Sequence, residues 1–373
     1  MKKTGKYAII KKRDHQRQLM ISEVKYKPGA NPERKENPPL HTKIISESPA
    51  LVKWSEKKRS NNRMADKMID AGYEKRGLRM KFCGDFLKMK YCPDCGKSFV
   101  SSANLCRDKL CPTCAWRLSL KRFAEMCCTL QYINDIDTYS AGFLTLTVRN
   151  CAPEELKYTL GEMSKAWNRM LVGRKIKPIV KGWARSVEIT YNKKTKTFHP
   201  HYHIIMLYDP EMSPGEMAKL TRKKWDDACR LDYEPITDFR EIGSNENAGT
   251  NIDNENFVNS ILETFKYAVK SDEVEQMPMN IFRALVSGMD GVRMVSYGGI
   301  IKTARQMLDY KKDDLEEEDT EIDVSACSCG SHNVREALLK WSFSEQQYQI
   351  IAKNRQKTAL ETPFLDELER KKQ

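Results

Sequence analysis

The sequence predicts an α+β fold in which a cysteine module that binds metal precedes an antiparallel sheet with flanking helices. Three observations predict it. Two strand-like stretches, 183–191 and 198–208, are joined by a short polar turn and read as an antiparallel hairpin. A third stretch, 142–149, alternates with a strand's period of two, while apolar residues recur at helical spacing over 115–132 and 153–171. Two Cys-x2-Cys pairs come before all of these.

Composition sets the bounds. The 373 residues are enough for two or three domains with a sizeable core. There are 64 Lys and Arg against 51 Asp and Glu, a net charge of +13, which favours a polyanionic partner such as nucleic acid. No apolar run approaches the ~20 residues that cross a bilayer, and the start (Met1-Lys2-Lys3-Thr4-Gly5) lacks an apolar leader. The expectation is a cytoplasmic bacterial protein with no membrane partner. In that compartment twelve cysteines mean metal ligands and free thiols rather than disulfides.

Residues 1–60 are polar, basic and without periodicity, and are expected to form a flexible arm. Residues 61–122 hold a helix over 62–73 and then the cysteines: Cys83, Cys92, Cys95, Cys106, Cys111 and Cys114. The two Cys-x2-Cys knuckles lie fifteen residues apart, so Cys92, Cys95, Cys111 and Cys114 are the simplest tetrahedral zinc set. Cys106 and Cys83 compete for places in it. Arg117, Lys121 and Arg122 follow at once, and with Arg149, Arg293 and Lys302 they are the candidate DNA contacts. A further helix is expected over 213–230, a strand over 234–242, and a basic loop and helix over 280–309. Residues 311–373 open with an acidic run (Asp313 to Asp319) and are expected to end as a charged, helical segment. Its Cys327, Cys329 and His332 are an incomplete ligand set by themselves, and free thiols are expected there rather than a second metal site.

The hairpin carries the chemistry. His201 and His203 are two apart on one strand and share a face, where two imidazoles can hold one metal ion. An even-numbered turn places Glu188 of the partner strand opposite one of them as a third ligand. His199 is the competing third ligand. On donor softness alone, two His and a carboxylate suit zinc or iron more obviously than Mg²⁺ or Mn²⁺, so the residues by themselves do not identify the metal. Over 256–270 a helical pattern puts Phe257, Ile261, Phe265 and Val269 in an apolar stripe, with Glu263, Tyr267 and Lys270 together on nearly the opposite side. A nucleophilic tyrosine with two helpers and a plain solvated face both fit that pattern.

Several segments together resemble the rolling-circle replication initiators of small bacterial plasmids, in the HUH endonuclease superfamily. Phe143-Leu144-Thr145-Leu146-Thr147 is similar to the first family motif. Val187-Glu188-Ile189-Thr190-Tyr191-Asn192 with His199-Pro200-His201-Tyr202-His203 is similar to the second, and Glu263 through Lys270 to the third. Cys83-Gly84, the run Cys106–Arg117 and Tyr297-Gly298-Gly299 also match family segments. The resemblance spans roughly residues 62–310; the Cys92/Cys95 pair departs from it.

The resemblance implies a five-stranded antiparallel sheet with the histidine strand central, within a nicking domain over 123–310. It implies that Tyr267 attacks a phosphodiester of plasmid origin DNA, double- or single-stranded, giving a 5′-phosphotyrosyl enzyme and a free 3′-OH primer. Mg²⁺ or Mn²⁺ on His201, His203 and Glu188 would polarise the phosphate, and Lys270 would stabilise the developing charge. Glu263 would activate water for the terminating cleavage. A host helicase and DNA polymerase are the implied partners, and a homodimer is left open. A relaxase or single-strand transposase would use the same chemistry; a zinc-containing DNA-binding regulator would use none.

Overall fold

The computed structural model describes residues 40–243, 255–266, 268–310 and 327–353. The expected arm before residue 40 and the acidic run of 313–319 lie outside the described residues, as does Tyr267. The chain divides into two compact units. Among the described residues the first takes 60–83, 105–243, 255–266 and 268–310, and the second takes 40–59, 84–104 and 327–353. The second unit therefore gathers three stretches far apart in sequence, which a division at 60, 122 and 310 does not anticipate.

The elements, in chain order, are α1 (Leu40–Ser46), α2 (Pro49–Asp70), α3 (Glu74–Lys81), β1 (Phe86–Tyr91), β2 (Ser98–Ala103) and α4 (Pro112–Asn134). Then come β3 (Ser140–Thr147), α5 (Leu156–Val172), β4 (Val180–Asn192), β5 (Thr197–Tyr208), α6 (Pro214–Cys229) and β6 (Thr237–Gly243). After these follow α7 (Glu255–Phe265), α8 (Ser271–Glu275), α9 (Met279–Met289), β7 (Val295–Gly298), α10 (Gly299–Met307), β8 (Arg335–Ser342) and β9 (Gln347–Lys353).

In the first unit five strands pair antiparallel in the order β6-β3-β5-β4-β7, with the histidine strand β5 central. Apolar side chains alternate along it, so both faces carry a core. Leu144, Leu146, Val187, Tyr202, Ile204 and Met206 belong to one cluster with Leu160 and Trp167 of α5 and Trp225 of α6. Phe143, Ala184, Ile205 and Leu207 belong to another with Met126 and Leu130 of α4, Phe257 and Ile261 of α7 and Ile301 of α10. The edge strand β7 approaches β4 closely: a Cβ on Gly298 would lie 2.3 Å from the Trp183 ring, and one on Gly299 2.0 Å from the Lys181 carbonyl. The Tyr-Gly-Gly segment is thus a packing requirement.

In the second unit β2-β1-β8-β9 form a four-stranded antiparallel sheet. Leu87, Met89, Leu339 and Trp341 are buried, and the Trp341 and Tyr348 rings meet edge to face at 5.0 Å. Two expectations are corrected here. Residues 40–60, read as arm, are helical: Ile45, Ser48, Leu51, Trp54 and Lys58 are buried at spacings of three and four. Two of those five are polar, which hid the stripe. Residues 335–353, read as a charged helix, are the hairpin β8–β9. Ala337, Leu339 and Trp341 are buried at a period of two, and the charges lie between and around them. Among the described residues no helix is long and apolar enough to cross a membrane.

Candidate functional site

The site is built on the β4–β5 hairpin. Asn192 pairs with Thr197, leaving a four-residue turn in which the Asn192 side chain accepts the amides of Lys194 and Thr195 at 3.0 and 3.2 Å. That even number sets the register: Glu188 lies opposite His201, and Ser186 opposite His203. Glu188, His201 and His203 are all buried. On the far side β3 supplies Thr145 opposite His203 and Thr147 opposite His201. Phe143 stacks on the His203 ring at 5.4 Å and fixes its plane.

The three side chains converge on one point. Glu188 Oε2 lies 3.0 Å from His201 Nε2 and 2.8 Å from His203 Nε2, and the three ligand atoms sit within 4.8 Å of one another. His201 Nδ1 is 3.3 Å from the His199 carbonyl, so if a cation took the place of the Nε2–H bond to Glu188, Nδ1–H could donate there and orient the ring. Burial alone would raise the Glu188 carboxyl. Hydrogen bonds from His201 and His203 and the Lys266 ammonium outweigh it and hold the group well below the usual carboxylate range. A carboxylate whose ionised form is favoured in this way, set between two imidazoles, suits a divalent cation. His199, the competing ligand, instead sets its Nδ1 2.9 Å from Asn150 Oδ1. Beside it, at the hairpin turn, an open groove of about 620 Å³ is lined by Asn150, Tyr191, Lys193, Lys194 and His199.

The end of α7 completes the site, but not as one continuous helix. The helix stops at Phe265. Glu263 Oε1 lies 3.7 Å from His203 Nε2. Lys266 Nζ lies 3.1 Å from Glu188 Oε2 and bonds Glu263 as well. Partial burial opposes the Lys266 charge, but Glu263 and Glu188 outweigh it and raise its pKa. Lys270, expected here, is at the start of α8 with an exposed side chain 3.7 Å from Glu273. The ammonium at the triad is therefore Lys266, which sequence reasoning passed over; its three-residue spacing from Glu263 was the available signal.

The expected zinc set is corrected as well. Cys111 and Cys114 cluster with Cys83 and Cys106, and Cys92 and Cys95 cluster with Cys327 and Cys329. Cys92 and Cys95 occupy the turn of the β1–β2 hairpin, while Cys83 and Cys106 flank its open end in sequence. In the first cluster Cys83 and Cys114 are 3.4 Å apart, Cys83 and Cys111 3.6 Å, and Cys106 and Cys114 3.7 Å. The amides of Cys106, Arg107 and Cys114 point at the sulfurs, and Cys111 caps α4 with Pro112 in the first turn. Burial pushes the Cys83 and Cys111 thiols up, whereas bonds from their neighbours hold Cys106 well down. Four packed sulfurs need a cation before all can ionise, so this cluster can hold a metal.

Of the candidate DNA contacts, Arg149, Arg293 and Lys302 are exposed. Arg149 stacks on the Tyr233 ring at 3.9 Å. Arg117 and Arg122 are half-buried on α4. Lys121 is nearly buried, 3.9 Å from Glu125, which also pairs with Arg305 at 2.9 Å. That network packs α4 against α10, so Lys121 is a structural residue rather than a free contact.

A family model described as replication protein matches residues 97–349. The chain is 29% identical to a protein named Protein rep from Lentilactobacillus hilgardii, over 80% of this chain and 94% of that one. It is 32% identical to a Protein rep from Bacillus amyloliquefaciens, over 72% and 87%, and 29% identical to one from Streptococcus pneumoniae, over 68% and 79%. No solved structure matches.

Proposed function

The chain belongs to this replication protein family, as an initiator of the plasmid Rep type 1 kind, and from that premise we propose that it nicks plasmid origin DNA through Tyr267. The observation that carries the reading is the convergence of Glu188, His201 and His203 on one point, with Glu263 and Lys266 beside them.

His201, His203 and Glu188 would hold a divalent cation, Mg²⁺ or Mn²⁺, which when bound supplies Lewis-acid polarisation of a phosphate oxygen. The remaining chemistry belongs to the chain. Tyr267 is the next residue in sequence after Lys266, whose side chain touches Glu188. The Tyr267 oxygen attacks phosphorus, the 3′ oxygen leaves and takes up a proton, and the 5′-phosphate stays on the tyrosine. Tyrosine titrates near 10, so it needs a polarised phosphate to react at neutral pH. Tyr202 is no substitute: burial pushes it up to about 12, and it packs on the other face of the sheet. Lys266 offsets charge that builds on the phosphate oxygens, taking the role expected of Lys270. Glu263, more exposed than Glu188, is the carboxylate placed to activate water for the terminating cleavage. The other cluster of this unit, Cys83, Cys106, Cys111 and Cys114, would hold zinc. Arg149, Lys193 and Lys194 would meet the DNA backbone near the turn. In a cell the nicked origin would pass to a helicase and polymerase of the host.

The test is incubation of supercoiled origin plasmid with the protein and Mn²⁺ or Mg²⁺, with Tyr267→Phe in parallel. The expected product is a nicked circle with protein on its 5′ end, absent in the variant. Equal nicking by Tyr267→Phe removes the nucleophile assignment. Origin binding without nicking by either protein, on duplex or single-stranded origin DNA, leaves the regulator.

A further inference from the structure

The second unit holds a cluster that the nicking chemistry does not use. Cys92, Cys95, Cys327 and Cys329 place their sulfurs within 4.8 Å of one another. Cys92 and Cys329 are 3.8 Å apart, and Cys95 and Cys327 are 3.4 Å apart. Zn–S bonds of about 2.3 Å in a tetrahedron space the sulfurs by about 3.8 Å, while a disulfide brings them to about 2.05 Å. The cluster has the first spacing.

The sheet explains why these four meet. Tyr91 at the end of β1 lies opposite Arg335 at the start of β8, so the chain leaving one strand adjoins the chain entering the other. Each side turns tightly on a glycine with positive φ, Gly96 at 73° and Gly330 at 87°. The Gly96 amide donates to the Cys92 carbonyl at 2.9 Å, and the Gly330 amide to the Cys327 carbonyl at 2.9 Å. The amides of Cys95 and Asp94 face the Cys92 sulfur, and the Lys97 amide faces that of Cys95. Side chains then tie one turn to the other: Asn333 donates to Asp94 at 3.2 Å, Ser331 donates to Asp94, and Lys97 donates to Ser328 at 3.0 Å. His332 is exposed and does not belong to the group.

We propose that Cys92, Cys95, Cys327 and Cys329 form a second tetrathiolate zinc site, which clips the hairpin β8–β9 to the hairpin β1–β2. Binding releases four protons from the thiols and transfers no electron. The site differs in kind from the one formed by Cys83, Cys106, Cys111 and Cys114. That one closes a short local loop, whereas here Cys95 and Cys327 are 232 residues apart. The ion would tie together two distant pieces of chain that the β1–β8 ladder already pairs, and its ligand set is complete only when the C-terminal hairpin is in place.

The test is zinc content by mass spectrometry of the full chain, purified without a metal-binding tag and dialysed against chelator-treated buffer. The wild type is expected to hold two zinc ions per chain, and Cys327→Ser/Cys329→Ser and Cys92→Ser/Cys95→Ser one each. One ion in the wild type, or two in either double variant, overturns the proposal. A second measurement needs no variant. Cys95 and Cys329 are exposed, so a mercurial reagent added in small steps should modify them first and release one zinc as it does so. Modification of both with no zinc released, or a disulfide among the four cysteines in the purified protein, also overturns it.

Discussion

Replacing Glu188 by Gln should uncouple the protein from its divalent metal while leaving it folded. The carboxylate is 5% exposed, and Oε2 lies 3.0, 2.8 and 3.1 Å from His201, His203 and Lys266. Gln keeps the shape and removes the charge. Without metal the main loss is attraction to Lys266, whose side chain is 33% exposed, so solvent screening limits the cost to about 1 kcal/mol. With metal the loss is larger. Removing even an outer partner of a metal ligand lowers affinity roughly 10–100-fold, so losing a charged ligand should cost at least about 100-fold. At a Mn²⁺ concentration of about 100 times the wild-type Kd, binding adds about 2.7 kcal/mol of stability. For a unit of this size that raises Tm by roughly 5–10 °C. The variant at the same concentration sits near its own Kd and gains only about 0.4 kcal/mol, or roughly 1 °C. The assay is thermal unfolding across a Mn²⁺ titration in chelator-treated buffer. A Glu188→Gln protein whose Tm climbs with Mn²⁺ as the wild type's does would refute the triad as the metal site.

Lys266→Met should slow nicking about 10–100-fold, the equivalent of one charge-assisted hydrogen bond, while Lys270→Met stays close to wild type; single-turnover rates on an origin oligonucleotide compare them. Glu263→Ala should still nick but fail to release closed circles, which a termination assay on a two-origin plasmid reads directly. Gly298→Ala forces a methyl into the Trp183 ring, 2.3 Å from the nearest ring atom, and should cost about 1–3 kcal/mol by overpacking; urea unfolding measures it. Cys83→Ser should lose the zinc held with Cys106, Cys111 and Cys114 and bring early unfolding of α4, since structural zinc contributes on the order of 10 kcal/mol in small modules; zinc content and circular dichroism together report it.

The parts of the fold that could be read from sequence are those where the pattern and the packing obey one rule. The histidine strand alternates, so its two faces were separable, and the even-numbered turn after Asn192 set Glu188 opposite His201. The α4, α5 and α6 helices carry apolar stripes with capping residues such as Ser213. The parts that could not be read depend on distant chain. No local signal says that Cys92 and Cys95 meet Cys327 and Cys329 rather than Cys111 and Cys114, because the two knuckles in sequence satisfy the spacing rule equally well. Residues 335–353 are short and charged, and their strand character comes from pairing with β1, a contact between segments more than two hundred residues apart. Lys58 lies in the buried stripe of α2, paired with Asp85 at 2.5 Å, and a lysine there makes a core helix look like a solvated arm.

The break in α7 shows the same dependence at the site itself. Apolar spacing continues through Val269, so the local pattern alone predicts a helix that runs on to match. The sheet requires otherwise. Beyond β7 the edge of β4 still carries donors that need partners, and an unpaired buried amide is costly. The Val187 amide donates to the Met294 carbonyl at 2.8 Å, and two residues on the Ile189 amide donates to the Ala268 carbonyl at 2.8 Å. The helix ends at Phe265, and Ala268, beyond it, supplies that carbonyl. The same departure brings Lys266 to within 3.1 Å of Glu188, the residue between the two satisfied amides. The hydrogen bond that closes the sheet edge thus accompanies the placing of Glu263 and Lys266 beside Glu188 and His203. This gives a reason for the lysine that contacts the triad to be the residue next to Tyr267, and not one a full helical turn beyond it.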